Sequence, residues 1–180
     1  MFISGRFGRL TGRQRAGRQT TAGIGVWIAV GIALTGCGCR EDQTYQVPGL
    51  IKMLKSSDVS DRYTALNGLQ RYGPEAAPAV ESLVQALNDS DPIVRCGAIY
   101  ALAAIGNQAA PADGALLHSV DDPVAEVREA AVYAIPLVFP TDASALEPLK
   151  RALKDPDQRV RTEAATAVRR IKITLRYHKP

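Results

Sequence analysis

Residues 91–105 read DPIVRCGAIYALAAI. Apolar side chains fall at Val94, Ala98, Ala101, Leu102 and Ile105, the spacing of one face of an α-helix. Asp91-Pro92 opens the stretch with a capping acceptor and a proline suited to the first helical turn. Most residues on the face are small, so a second helix can approach closely, and an isolated helix could not cover such a stripe. The sequence supplies the cover by repetition. Arg95 has counterparts at Arg62, Arg128 and Arg161, and Ala98 at Ala65, Ala131 and Ala164. Leu102 corresponds to Leu69, Ile135 and Val168; Leu83 to Leu50, Leu116 and Leu149; Leu87 to Leu54, Val120 and Leu153. Each set is spaced by 33 positions without a gap. A fixed period of this length predicts a solenoid, in which each unit buries its face only by stacking on its neighbours.

The period divides the chain into repeats over 47–77, 78–110, 111–143 and 144–172, each predicted to be a helical hairpin. The first helices are expected at 48–55, 79–87, 112–120 and 145–153. The second are expected at 60–72, 92–105, 123–138 and 156–171. An aspartate-bearing turn joins them (SSDVSD, NDSD, DDP, KDPD). Gly73-Pro74 and Gly106 are placed as helix C-caps. Pro136 breaks the pattern. An interior proline costs about 3 kcal/mol, because it removes a hydrogen bond and clashes one turn back, so a kink or stop is expected near Ile135.

The second-helix core, D-x-x-V-R-x-x-A-x-x-A-L, resembles HEAT repeats of the short type also found in phycobilisome lyases. Asp91, Val94, Arg95, Ala98, Ala101 and Leu102 fit it fully, and Asp157, Val160, Arg161, Ala164, Ala167 and Val168 fit nearly as well. The third copy has Val127, Arg128, Ala131, Ala134 and Ile135, with Val124 at the aspartate position. The first keeps Asp61, Arg62, Ala65, Gly68 and Leu69. The resemblance implies an all-α fold, a right-handed α-α superhelix (α-solenoid) of four HEAT-like hairpins. It implies little about function, which resides in sites added to a fold.

Composition changes this picture only at the N-terminus. Of 22 Lys+Arg, five arginines lie before Cys37 with no acidic residue among them, leaving 17 against 18 Asp+Glu from Cys37 onward. The basic pI therefore belongs to the leader and does not point to nucleic acid. Arg-rich residues 1–19, an apolar stretch over 20–36 and Cys37 have the order of a secretory signal peptide. Leu34-Thr35-Gly36-Cys37 resembles the bacterial lipobox, which implies cleavage after residue 36 and a diacylglycerol on Cys37. An uncleaved anchor over 20–39 is the alternative, and it is weakened as a helix by five glycines. Either reading places the repeats on the extracytoplasmic side of the cell envelope, behind a polar tether at 37–46. The choice between inner and outer membrane stays open. A basic tail is expected at 173–180.

No motif for catalysis emerges. The two histidines, His118 and His178, lie far apart, and the Asp-rich turns lack the glycine and distal glutamate of an EF-hand, so neither a zinc nor a calcium site is expected. The aspartates are read as helix caps. Arg62, Arg95, Arg128 and Arg161, with Asp91 and Asp157, are expected to tie repeats together. Cys39 and Cys96 have no obvious disulfide partner. Positions of the second helices that vary between repeats define a candidate protein-binding ridge: Tyr63, Asn67, Gln70, Cys96, Tyr100, Glu129, Tyr133, Thr162, Thr166 and Arg169. Stacked helices would align them on a concave face, where exposed tyrosines favour binding; covering of inter-repeat seams is the other reading of these tyrosines. The expected function is thus a membrane-anchored, non-catalytic adaptor for an unidentified protein, without cofactor. An accessory subunit resembling bilin lyases, or a plain envelope spacer, are the alternatives.

Overall fold

A computed structural model describes residues 46–177; Cys37, Cys39, the leader and His178 lie outside them. The first helices of the four hairpins are α1 (Val47–Met53), α3 (Val80–Ala86), α5 (Asp113–His118) and α7 (Leu146–Ala152). The second helices are longer: α2 (Val59–Tyr72), α4 (Pro92–Ile105), α6 (Ala125–Val138) and α8 (Gln158–Tyr177). There is no strand among the described residues. The second helices pack side by side in the order α2, α4, α6, α8, and the first helices cover them.

The periodic positions form the interior. Leu50, Leu83, Leu116 and Leu149 are fully buried, as are Ala65, Ala98, Ala131 and Ala164 and the trio Val94, Val127 and Val160. Small residues allow the close approach: a Cβ added to Gly97 would sit 2.9 Å from Leu66 Cδ1 on the preceding second helix. Leu66, Ile99 and Val132, equivalent positions facing the next repeat, are all buried.

The second helices start on side-chain caps where the sequence supplies them. Asp58, Asp91 and Asp157 each accept from the backbone N–H two residues on, at 2.8, 2.8 and 2.7 Å. Val124 holds the same extended conformation with no side-chain cap. Gly73 and Gly106 end α2 and α4 with φ of 56° and 71°, a region an L side chain rarely adopts, and lead into 3₁₀ turns over Gly73–Ala79 and Gly106–Ala112.

The third and fourth hairpins depart from expectation. Pro136 neither stops α6 nor limits it to Ile135: the helix continues to Val138, and Phe139 N–H donates to Ile135 at 3.0 Å. The proline lies in the last turn, where only its own bond is lost. Phe139 occupies the glycine position with φ −134°, and this junction makes a different connection, a turn in which Asp142 N–H donates to Phe139 O at 3.2 Å; Asp142 then caps the short 3₁₀ turn Ala143–Ala145. Residues 173–177 of the expected tail are helical. Lys172 stands where Gly73 and Gly106 end earlier helices, and with no glycine to turn on, α8 runs on to Tyr177.

The first and last hairpins differ in their outer faces. Asp61 is exposed where internal repeats bury Val94 and Val127, which gives the first hairpin a polar outer side. Ala165 is exposed on α8 where Leu66, Ile99 and Val132 are buried.

Candidate functional site

Two sets of side chains repeat along the stacked second helices, one nearly constant and one variable. The constant set is a ladder of arginine–aspartate pairs. Arg62 Nε lies 2.8 Å from Asp89 Oδ2, and its Nη2 donates to Oδ1 at 3.0 Å. Arg95 donates through Nε and Nη2 to Asp122 at 2.9 and 3.0 Å, and Arg128 does the same to Asp155 at 2.7 and 2.9 Å. Each pair joins one repeat to the next, and the side chains are only 8–14% exposed. Each arginine also anchors Nη1 on two carbonyls of its own turn; for Arg95 these are Asp89 O at 2.8 Å and Ser90 O at 3.3 Å. Each acceptor aspartate is fixed in turn, its Oδ1 taking the backbone N–H two residues on (Asp91, Val124 and Asp157). For Arg95 and Arg128 the result is a bidentate charge pair with both partners pre-positioned; Arg62 makes one hydrogen bond to Asp89, and its Nε, though close, makes none. Hydrogen bonding to Asp122 and Asp155 holds the Arg95 and Arg128 guanidiniums above their usual range, and Arg128 holds the Asp155 carboxyl below the usual carboxylate range.

This arrangement corrects three expectations. Asp91 and Asp157 do not bridge repeats. They cap their own helices, and the bridging carboxylates are Asp89, Asp122 and Asp155, equivalent positions 33 apart that face back toward the preceding arginine. Arg161 likewise bridges nothing among the described residues. Its Nη1 donates to Asp155 O and Pro156 O at 2.7 and 2.8 Å.

The variable set is the ridge, and the structure divides it. Tyr63, Asn67 and Gln70 from α2 and Cys96 and Tyr100 from α4 line a single open groove of about 480 Å³. Pro92, Ile93, Gly97, Val124 and Glu126 complete its walls. Ile93 is 59% exposed, an unusual position for a large aliphatic side chain. Tyr100 continues into Tyr133 on α6, with ring centroids 6.0 Å apart and planes at 57°. Both tyrosines keep more than a third of their surface open, as does Tyr63. Burial pushes the Cys96 thiol and the Tyr100 phenol up from their ordinary values, which leaves Cys96 a poor thiolate.

The α8 members differ. Thr162 and Thr166 spend their hydroxyls on the carbonyls one turn back, Gln158 O at 2.9 Å and Thr162 O at 3.3 Å. Arg169 belongs to a separate depression at the end of α8 with Ala165, Val168, Lys172, Ile173 and Arg176. Glu129 lies 3.7 Å from Arg159, which also binds Glu126 at 2.9 Å across the α6–α8 step. Ile93, Glu126 and Arg159 were missed by reading the sequence. They are equivalent first-turn positions, variable like the ridge (Ser60, Ile93, Glu126, Arg159), and that variability is the signal that could have found them.

Residues 47–136, half of the chain, match the family model for HEAT repeats. The chain belongs to the HEAT-repeat family. Among solved structures, this HEAT-repeat chain is similar to an engineered protein with 27% identity and a TM-score of 0.59, over 71% of this chain and 63% of that one. It is similar to a designed armadillo repeat protein in complex with the peptide (KR)4, with 23% identity and a TM-score of 0.60, over 73% and 69%. It is also similar to the complex of CpcE and CpcF of phycocyanin lyase from Nostoc sp., with 24% identity and a TM-score of 0.52, over 71% and 65%. The last two likenesses are of fold alone. No curated protein matches the sequence.

Proposed function

We propose that this HEAT-repeat chain is a non-catalytic scaffold that holds a segment of a partner protein along the groove of α2 and α4 and onward over Tyr133. The observation that carries this reading is the convergence of Tyr63, Asn67, Gln70, Cys96 and Tyr100, from two repeats, on one open groove. Its chemistry suits an extended or helical peptide: three tyrosines and Ile93 offer apolar area, while Asn67 and Gln70 offer paired donors and acceptors to a backbone. A related solenoid fold holds a peptide in the designed armadillo complex, which supports the same use here. No helix among the described residues is long and apolar enough to cross a membrane. In this reading a lipid on Cys37 would hold the scaffold at the outer side of the membrane.

Photo-crosslinking tests the groove. A crosslinker in place of Tyr100 or Tyr133 is expected to capture one discrete partner, and the same group in place of Gln85, exposed on α3, is expected to capture none. With the partner in hand, Tyr100→Ala is expected to weaken binding by about 30-fold, as for an aromatic hot spot. Equal capture from Gln85 would sink the assignment. Mass spectrometry of the membrane-extracted protein is expected to find a diacylated Cys37 as the first residue. The accessory-subunit reading draws on the fold likeness to the phycocyanin lyase complex. A bound chromophore in the absorption spectrum of the purified protein would favour it over the scaffold.

A further inference from the structure

The ridge changes its charge along the stack. In the groove of α2 and α4, Tyr63, Asn67, Gln70, Ile93, Cys96 and Tyr100 carry no formal charge. Toward α6 and α8 three carboxylates follow: Glu126 at the groove's edge, Glu129 one turn on, and Glu163. Glu163 stands on α8 at the position of Gly97, the side that faces the preceding second helix. It is half-buried and has no hydrogen bond or ion pair among the described residues. Glu129 has only a 3.7 Å contact with Arg159. Arg169, further along α8, belongs to the separate depression at that helix's end.

Two further observations bear on what this acidic flank receives. The first is a resident guanidinium. Arg159 reaches Glu126 at 2.9 Å and Glu129 at 3.7 Å and is itself 53% exposed. It is the only basic side chain paired with these acids among the described residues, and it is shared with Asp157 at 3.4 Å. The second is the field at the rings. Burial, and then the neighbouring Cys96, Glu129, Tyr133 and Glu163, push the Tyr100 phenol up. Burial and Asp122 likewise raise the Cys96 thiol, with Glu126 and Glu129 adding to them and Arg95, bound in the ladder, opposing. The paired rings of Tyr100 and Tyr133, both open to solvent, thus lie in the field of carboxylates, a setting that favours a cation on an aromatic face. The acids do not converge on one point. No three carboxylate, histidine or cysteine side chains among the described residues come close enough together to hold a metal ion.

We propose that the partner segment held on the ridge is basic: one of its arginine or lysine side chains lies on Tyr100 and Tyr133 against Glu129 and Glu163, while its apolar residues fill the α2–α4 groove beside Ile93. This inference rests on the groove reading above and adds to it a charge and a direction. Charge complementarity carries it. A cation arriving on the rings finds Glu163 unpaired and Glu129 held only at 3.7 Å, whereas an acidic segment would meet three carboxylates that share one guanidinium. Arg159 is then the chain's own competitor for Glu126 and Glu129, exposed enough to move aside.

Labelled peptides separate the charge from the groove. The probes are a fluorescent octapeptide of alternating alanine and arginine and its citrulline twin, which keeps the shape and loses the charge. Each is titrated onto the full-length protein in neutral detergent. The arginine peptide is expected to bind wild type about tenfold more tightly than the citrulline peptide, and to lose about that factor on E129Q/E163Q. The variant E75Q/E81Q removes two exposed acids away from the ridge and is expected to change nothing. Tyr100→Ala is expected to weaken both peptides. Circular dichroism melting shows that each variant is folded. No binding of the arginine peptide, or an equal loss on E75Q/E81Q, overturns the proposal. Equal binding of the two peptides that Tyr100→Ala still weakens overturns the basic segment and leaves the groove standing. Loss on E129Q/E163Q with no effect of Tyr100→Ala overturns the seat on the rings and counts against the groove itself. A natural segment captured from Tyr133 that contains neither arginine nor lysine overturns the proposal as well.

Discussion

The edge of the stack that carries the ladder and the ridge one helical face away are built from the same helices at the same spacing, yet they vary in opposite ways. The edge repeats its chemistry at each step: arginine, two carbonyls, a turn-held aspartate. The ridge varies; the row through Asn67, Tyr100, Tyr133 and Thr166 carries three residue types in four positions. In a repeat protein each unit meets nearly the same neighbours, so a contact made for stability tends to recur. A position free to differ from unit to unit is released from that duty, and here such positions converge on the groove.

Breaking one rung tests the first half of this contrast most severely. Arg95→Ala leaves the Asp122 carboxylate in a site only 10% exposed without its main partner, and a loss of about 3 kcal/mol in urea unfolding is expected. Removing Asp122 as well should recover part of that loss, since the cost lies mainly in the stranded charge. Next in size is overpacking beneath the rungs: Ala131 is fully buried between helices, so Ala131→Leu is expected to cost about 2 kcal/mol in the same measurement. Acid should act through the ladder too. Arg128 lowers the pKa of Asp155, so this pair stabilises the fold above the unfolded carboxylate's pKa of about 3.9 and loses that contribution as pH falls through the lower folded value. Thermal melting below pH 4 should therefore fall more steeply for wild type than for Asp155→Asn. The smallest effect sharpens the other half. Tyr133→Ala at a 39% exposed site is expected to shift stability by less than about 1 kcal/mol, while still impairing partner capture.

Much of the fold is legible in the sequence because its cause is local and repeated. The leucine and alanine columns name the buried faces, and Gly73 and Gly106 mark two helix ends. What was misread depended on direction or on the absence of a neighbour. Asp89 and Asp91 are two residues apart in one turn, and spacing alone does not tell which carboxylate faces the previous repeat; the geometry gives Asp91 the helix N-terminus and Asp89 the arginine. Arg161 matches the pattern as well as Arg95, and only the acceptor in a following turn, absent among the described residues, separates them. The ridge was legible as variation, but its division was not. That Thr162 and Thr166 bond back onto their own helix, and that Arg169 belongs to another surface, depends on side-chain geometry.

Because every rung spans 27 residues and joins only adjacent hairpins, length in this molecule is adjustable in whole units. Excising residues 78–110 would bring Arg62 into register with Asp122, the carboxylate that Arg95 now holds, and Leu66 against Ala130 in place of Gly97. A shortened chain would close on itself with the same chemistry, losing half of the tyrosine groove and keeping both ends unchanged. Recognition and architecture can therefore be edited separately, one by substitution and the other by counting.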